Sequence, residues 1–318
     1  MDNSIIRPNV VIKVIISTAF LIAVWEKIDI SLIANSLKIL RLKYFLGSFI
    51  CLIITSFLLA IKYKILLSMT KIKRSITELI KINFLCRFYS MFLTSFVGQG
   101  VIRWHNTTKG QGEKVEFVVL IIIERISYFF AIIIAIYTSS VFAASLKLNP
   151  HLQDFYSILR ATAVILISLT ILIIWPFPLK KFTWKSPGKN NHNVSRKIMF
   201  QLRQASKFLL KSEKRYILKS FIVAIVWQLF FVLRIYFLGV STGVSYDFNQ
   251  LCWIASTALI FQSLPISFNG IGVREATYAY LFQLNGLQPE FGVTLGLLIF
   301  VQLFITSIVG GIIQLLAE

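Results

Sequence analysis

Apolar runs long enough to cross a bilayer recur along this chain, and that leaves it very few folds. A hydrocarbon core of about 30 Å calls for about 20 helical residues. Six segments read as full spans: about 10–25, 44–66, 115–142, 158–179, 216–240 and 291–316. Two more, 82–98 and 251–266, are apolar but shorter, and each runs into a glycine-bearing polar stretch. The runs are unbroken, whereas a transmembrane barrel shows short segments of alternating hydrophobicity. Composition agrees, with 57% hydrophobic and only 14% charged residues, where a soluble domain has about a quarter charged. The expected class is all-α: a polytopic membrane protein forming a single integral domain over residues 1–318. Residues 10–25 resemble a signal peptide, but no small-x-small cleavage site follows Trp25 and Glu26, so an uncleaved first helix is expected.

The formal net charge of +20 would point to nucleic acid in a soluble protein. Here the basic residues fall mostly between the apolar runs, where the positive-inside rule and anionic headgroups account for them, and no nucleic-acid partner is expected. The 62–81 connection carries Lys62, Lys64, Lys71, Lys73, Arg74 and Lys81 against Glu78 alone, and the 180–219 loop carries twelve basic residues against Glu213. Both are therefore assigned to the cytoplasm. The 143–157 and 241–250 connections, nearly free of basic residues, lie outside, and both termini fall on the cytoplasmic side. The 26–43 connection fits less well, because it should be external yet holds Lys27, Lys38, Arg41 and Lys43. Within the long basic loop, 196–215 places Arg203, Lys207, Lys211 and Lys214 on one helical face and Ile198, Leu202, Ala205 and Leu209 on another, as an interfacial helix does.

On this topology 82–114 begins and ends inside, while 251–290 begins and ends outside, so both are expected to be re-entrant, from opposite faces. Their sequences agree. Ser95-Phe96-Val97-Gly98-Gln99-Gly100-Val101 aligns with Ser267-Phe268-Asn269-Gly270-Ile271-Gly272-Val273 at an offset of 172, with five identities in seven positions. An arginine follows in each, Arg103 and Arg274, and the same offset carries Lys62 onto Arg234. Each half then holds three crossings and one broken, re-entrant element. Three is odd, so the halves, about 10–142 and 158–316, form inverted repeats.

Gly98, Gly100, Gly270 and Gly272 permit turns that a side chain would block. They are equally consistent with close helix packing. Helix ends at membrane depth expose groups that can face an anion, and Arg103 and Arg274 would add fixed charge there. Snorkelling to an interface is the alternative, but both loops pair charge with irregular backbone, and charge at membrane depth favours the functional reading. Glu275 fits either a partner for Arg274 or a proton carrier. Glu124 and Arg125 lie deep in the 115–142 span and need a partner or a polar cavity. A pair between these two neighbours is not expected, because adjacent helical residues diverge. That makes Arg125 a candidate for the same cavity. Arg234, six residues from a span end, reads more simply as snorkelling outward. Gln228, Gln262 and Gln302 read as interhelical hydrogen bonders.

No P-loop, GxSxG or HExxH motif occurs, and His105, His151 and His192 are far apart. Cys51, Cys86 and Cys252 lie in apolar stretches without metal or disulfide spacing, as small core residues. The expectation is a protein that is no enzyme, with no cofactor and no metal.

The stretch Leu264-Pro265-Ile266-Ser267-Phe268-Asn269-Gly270-Ile271-Gly272-Val273-Arg274-Glu275 resembles the signature of the lysylphosphatidylglycerol synthase transmembrane region family, flippase-like proteins related to the membrane half of the multiple peptide resistance factor. Gly98-Gln99-Gly100-Val101-Ile102-Arg103 resembles, more loosely, that family's G-G-D-x-x-R stretch, with Gly100 where the family has an acid. The resemblance spans nearly the whole chain. It implies movement of a phospholipid or lipid-linked anionic headgroup between leaflets of a prokaryotic plasma membrane. It also implies substrate-binding roles for Arg103, Arg125, Arg274, Glu275 and Asn269, and loop-shaping roles for Gly98, Gly100, Pro265, Gly270 and Gly272. The aminoacyl-transferring domain of the resistance factor is absent, so lysyl-lipid synthesis is not expected. The alternative is a non-transporting membrane subunit that recruits or regulates a separate enzyme of envelope lipid or glycan synthesis.

Overall fold

The computed structural model describes residues 40–92, 96–108, 114–145, 213–244, 246–263 and 270–316, with isolated positions 38, 157, 161, 164, 208 and 209. The described residues form eight helices and no strand: α1 (Leu42–Leu67), α2 (Ile76–Phe92), α3 (Phe96–Thr108), α4 (Lys114–Ser145), α5 (Lys214–Ser241), α6 (Phe248–Ser263), α7 (Val273–Leu284) and α8 (Pro289–Leu315). Four helices are long and apolar enough to cross a membrane: Leu42–Leu67, Glu116–Ser139, Lys214–Ser241 and Pro289–Leu315. At 1.5 Å per residue each exceeds a hydrocarbon core of about 30 Å. They match four of the six expected spans. The other two, 10–25 and 158–179, lie outside the described residues, as does nearly all of the basic 196–215 helix.

The spans are polar inside and apolar outside. On α1, Leu46, Ile50, Ile53 and Phe57 are exposed, at spacings that keep them on one face, while Ser48, Thr55 and Ser56 are buried. On α8, Phe304, Ile308 and Ile312 face out, and Gln302, Thr306 and Ser307 face in. Lipid tails solvate leucine and isoleucine as well as a protein core does. Helix association therefore rests on close packing and interhelical hydrogen bonds.

Among the described helices, α1 and α5 make the most extensive contact, and they run antiparallel. The Arg41 amide at the start of α1 donates to the Ser241 carbonyl at the end of α5 (2.8 Å), while Leu66 and Leu67 at the far end of α1 pack near Ile217 at the start of α5. Helix α8 packs on α2 and α7, and α4 packs on α5 and α6. Aromatic contacts reinforce the second interface, with Trp227 of α5 stacked on Phe231 and set against Tyr128 of α4.

Glycines set the closest approaches. A Cβ at Gly310 of α8 would fall 2.2 Å from the Phe84 carbonyl oxygen of α2, and one at Gly292 would fall 2.6 Å from the Tyr278 carbonyl oxygen of α7. One turn after Gly292, Gly296 leaves room for the backbone and side chain of Glu275.

Each shorter apolar stretch folds as two helices, α2 then α3 and α6 then α7, with packing contact between the members of each pair. The two breaks differ. Gly270 and Gly272 both have positive φ, +77° and +79°, and form the turn that opens α7. Gly98 and Gly100, expected to shape a loop, instead lie within α3, so that expectation is corrected. In an apolar setting the internally bonded helix outweighs glycine's propensity cost of about 1 kcal/mol, and α3 begins upstream of both glycines at Phe96. Pro265 and Asn269 lie outside the described residues.

Candidate functional site

The interior between these helices is charged. Lys62, Arg103, Arg234, Arg274, Glu124 and Glu275 are all buried, and Arg87 and Arg125 are half-buried. Setting aside half-buried Arg74, Glu116 and Glu290, which sit at or just before the starts of α2, α4 and α8, six cations face two carboxylates among the described residues of the interior. A buried charge is costly unless paired, so the partners decide what each cation can do.

One group joins α1, α3 and α4. Lys62, placed by the sequence in a cytoplasmic loop, is instead 3% exposed inside α1. Its Nζ donates to the Glu124 carbonyl (3.1 Å) and lies 3.7 Å from Glu124 Oε1. Arg125 Nε lies 3.3 Å from Glu124 Oε2, so the neighbouring pair that helix geometry disfavoured does form, because the long arginine side chain folds back. Arg103 Nη1 donates to Tyr63 Oη (2.7 Å), with its guanidinium 4.4 Å above the Tyr63 ring. Arg103 is thus held by Tyr63 of α1, and Arg125 shares Glu124 with Lys62, the residue just before Tyr63.

A second group joins α5, α7 and α8. Arg274 is 1% exposed, and its Nε and Nη2 both donate to Glu275 Oε1 (3.0 and 2.8 Å). Glu275 Oε2 accepts the Gly272 amide (2.7 Å), so one carboxylate neutralises the arginine and satisfies an open amide at the start of α7. Of the two readings for Glu275, the structure gives the partner. Arg234 does not snorkel: it is 4% exposed, and its Nε donates to Gln302 Oε1 (2.9 Å), while Gln302 Nε2 donates to Ser48 Oγ of α1. An outward path would break that three-helix chain. Arg234 and the Arg274–Glu275 pair both meet α8, Arg234 at Gln302 and Glu275 at Gly296.

Arg87 of α2 went unnoticed in the sequence. Its Nη2 donates to Ser56 Oγ (2.8 Å), and its backbone carbonyl accepts from Ser307 Oγ of α8 (3.3 Å). A lone arginine in an apolar run was the signal, since charge at membrane depth marks a functional candidate. Among the glutamines, Gln228 reaches Ser256 and Gln302 reaches Arg234 and Ser48 across helices, and Gln262 bonds back to Ala258 of its own helix.

An apolar cleft of about 220 Å³ lies between α4, α5 and α6, lined among others by Ala135, Thr138, Val232 and Cys252. None of the six cations lines it.

Removing Lys62 tests the first group. Lys62→Met leaves Glu124 with Arg125 alone and is expected to destabilise the protein by about 2 kcal/mol. Thermal unfolding in detergent reads this, and an unchanged midpoint would mean that Lys62 is no essential counter-charge.

No match was found among curated proteins or among solved structures at the level required for similarity. The sequence profile described as Lysylphosphatidylglycerol synthase TM region matches residues 10–311, which take in every charged residue above. With nearly its full length matched, the chain belongs to the lysylphosphatidylglycerol synthase transmembrane region family.

Proposed function

We propose that this protein carries the anionic headgroup of a membrane lipid between leaflets, as a flippase-like transporter and not as an enzyme. The observation that carries this reading is the imbalance of six interior cations against two carboxylates. A net positive interior surrounded by lipid is complementary to a phosphate headgroup whose tails stay in the bilayer. Family membership supports a link to lipid or envelope processes.

Alternating access in such proteins uses inverted repeats that rock around a central site. Several features support that reading. The 172-residue offset that aligns the glycine motifs carries Leu42 onto Lys214 and Ile76 onto Phe248, the first residues of α1 and α5 and of α2 and α6. Helices α1 and α5, equivalent under this offset, run antiparallel, as inversion requires. The packing of α2 on α8 has its counterpart in α6 on α4, and α2 with α3 corresponds to α6 with α7. Re-entrant α2–α3 and α6–α7 hairpins entering from opposite faces complete the arrangement, in a plasma membrane with both termini cytoplasmic.

The test is purified protein in liposomes carrying headgroup-labelled lipids, read by chemical quenching of the outer leaflet, beside Arg125→Gln. Arg125 is one-fifth exposed and Glu124 keeps Lys62 without it, so the variant is expected to fold. Wild type should equilibrate at least one anionic lipid, and the variant should lose at least about tenfold in rate, the equivalent of one charge-assisted hydrogen bond. Failure of the wild type to move any anionic lipid would turn the assignment toward an accessory subunit of a separate envelope enzyme.

A further inference from the structure

We infer that the cleft between α4, α5 and α6 seats one hydrocarbon chain of a membrane lipid, taken sideways from the bilayer. The inference goes beyond the headgroup reading and stands without it, because it concerns another part of the molecule and the other end of a lipid.

The cleft follows from side-chain size. Ala131, Ala135 and Ser139 stand at i, i+4 and i+8 on α4, so small residues line one stripe of that helix for two turns. Opposite them α5 presents Ile225, Leu229 and Val232, and α6 supplies the third wall with Phe248 and Cys252. The three helices pack on one another around a space of about 220 Å³. An apolar cavity of about 150 Å³ already admits a benzene ring. Along α5 the lining runs from Ile225 to Val232, about 10 Å at 1.5 Å per residue, so the space is elongated enough for a stretch of chain.

Position then decides the occupant. Ile225 stands 11 residues after the first residue of α5 and Val232 nine before the last, at mid-depth of a membrane-crossing helix. Ile225 and Leu229 continue the exposed face of α5 that Leu218 and Ile222 begin, and Thr138 is exposed on the α4 side. The cleft is therefore continuous with the lipid-facing surface.

The lining also offers little to a polar ligand. Thr138 Oγ1 donates to the Ile134 carbonyl (2.9 Å), Ser139 Oγ to the Ala135 carbonyl (2.6 Å) and Gln228 Nε2 to Ser256 Oγ (3.0 Å). Gln228 Oε1 is enclosed, and no charged side chain stands among the lining residues. Water needs polar partners that such walls do not supply. Left empty, the walls lose dispersion contacts, and the medium at that depth is hydrocarbon. A tail is as apolar in the bilayer as in the cleft, so the gain is packing against three helices in place of one.

The experiment uses the purified full-length chain in phosphatidylcholine liposomes doped with phosphatidylcholine that carries a diazirine in mid-chain. Light inserts the resulting carbene into adjacent side chains, and peptide mass spectrometry locates the insertions. Ala135→Phe fills the cleft, and Thr138→Phe obstructs its exposed side. Thr138 is exposed, so its variant is expected to fold even where the larger change at Ala135 does not. Ile50→Phe, on the exposed face of α1, controls for added bulk at a plain lipid contact. Insertion at recessed Val232 and Cys252 should match or exceed that at exposed Ile53 and Phe57 of α1. Each cleft variant should cut it about tenfold or more and leave the α1 signal unchanged, while Ile50→Phe should match wild type in the cleft.

Insertion confined to the exposed faces, with none at Val232 or Cys252, would mean that protein covers the cleft, and it overturns the chain site. Cleft insertion that neither phenylalanine reduces is ordinary bilayer contact and overturns it equally. Cleft insertion that the variants abolish, in a protein that flips no labelled lipid, keeps the chain site and fails the headgroup reading alone.

Discussion

Gly310→Ala is expected to destabilise the protein by about 3 kcal/mol, and Gly310→Leu to leave no folded protein, although both replace glycine in the middle of a helix. On propensity alone alanine would gain about 0.5–1 kcal/mol over glycine in α8. Contact decides the opposite sign. The added Cβ would sit 2.2 Å from the Phe84 carbonyl oxygen and 2.8 Å from its carbon, inside any real contact distance, and the obstacle is backbone with no rotamer to yield. Helices α2 and α8 must then separate by about the missing ångström, losing dispersion contacts along the whole seam. The Ser307 bond to the Arg87 carbonyl lies on that seam, so the displacement also moves a charged residue of the interior. Gly100→Ala is the control, since its Cβ would meet only Ile121 at 3.7 Å, an ordinary contact, and its expected change is neutral or slightly stabilising. Thermal unfolding in detergent, followed by tryptophan fluorescence, compares the two. Equal midpoints would show that α2 and α8 do not approach as closely as described.

The fold was legible where the physics is local. Long apolar runs located all four described spans, because length and hydropathy alone decide membrane crossing. The Gly270–Gly272 turn was also legible, since positive φ is a property of the residue itself. The charged interior was much less so, because its pairings are distant in sequence. Lys62 meets Glu124 from 62 positions away, and Arg234 meets Gln302 from 68. Nothing near Lys62 distinguishes it from the loop lysines that follow, and Arg234 counted from its span end has the position of a snorkelling residue. Gly98 and Gly100 misled for a related reason: glycine permits a break without requiring one, and backbone hydrogen bonding in an apolar setting kept the helix. Arg87 is legible in the sequence as a charge inside the apolar 82–98 run.

Glu275→Ala should have the largest effect of any single change at the Arg274 pair, a loss of about 4 kcal/mol. Two costs add. Arg274, 1% exposed, loses the carboxylate that holds two of its nitrogens, and an uncompensated buried charge costs about 3–5 kcal/mol. The Gly272 amide loses its acceptor as well, a cap worth about 1 kcal/mol. If the pair is chiefly self-neutralising, removing both charges should be mild. Arg274→Met with Glu275→Gln keeps an acceptor for Gly272 and fills similar volume, so the double variant should lie within about 1 kcal/mol of wild type. The unfolding cycle therefore predicts strong coupling, and additive, mild single effects would show that Arg274 draws its compensation from elsewhere. The same double variant separates structure from transport. Because it should fold, its flipping rate in liposomes reports whether the Arg274 charge acts on the headgroup. Retained flipping makes the pair a clamp for the start of α7, while lost flipping in a stable protein brings Arg274 into the ligand's path.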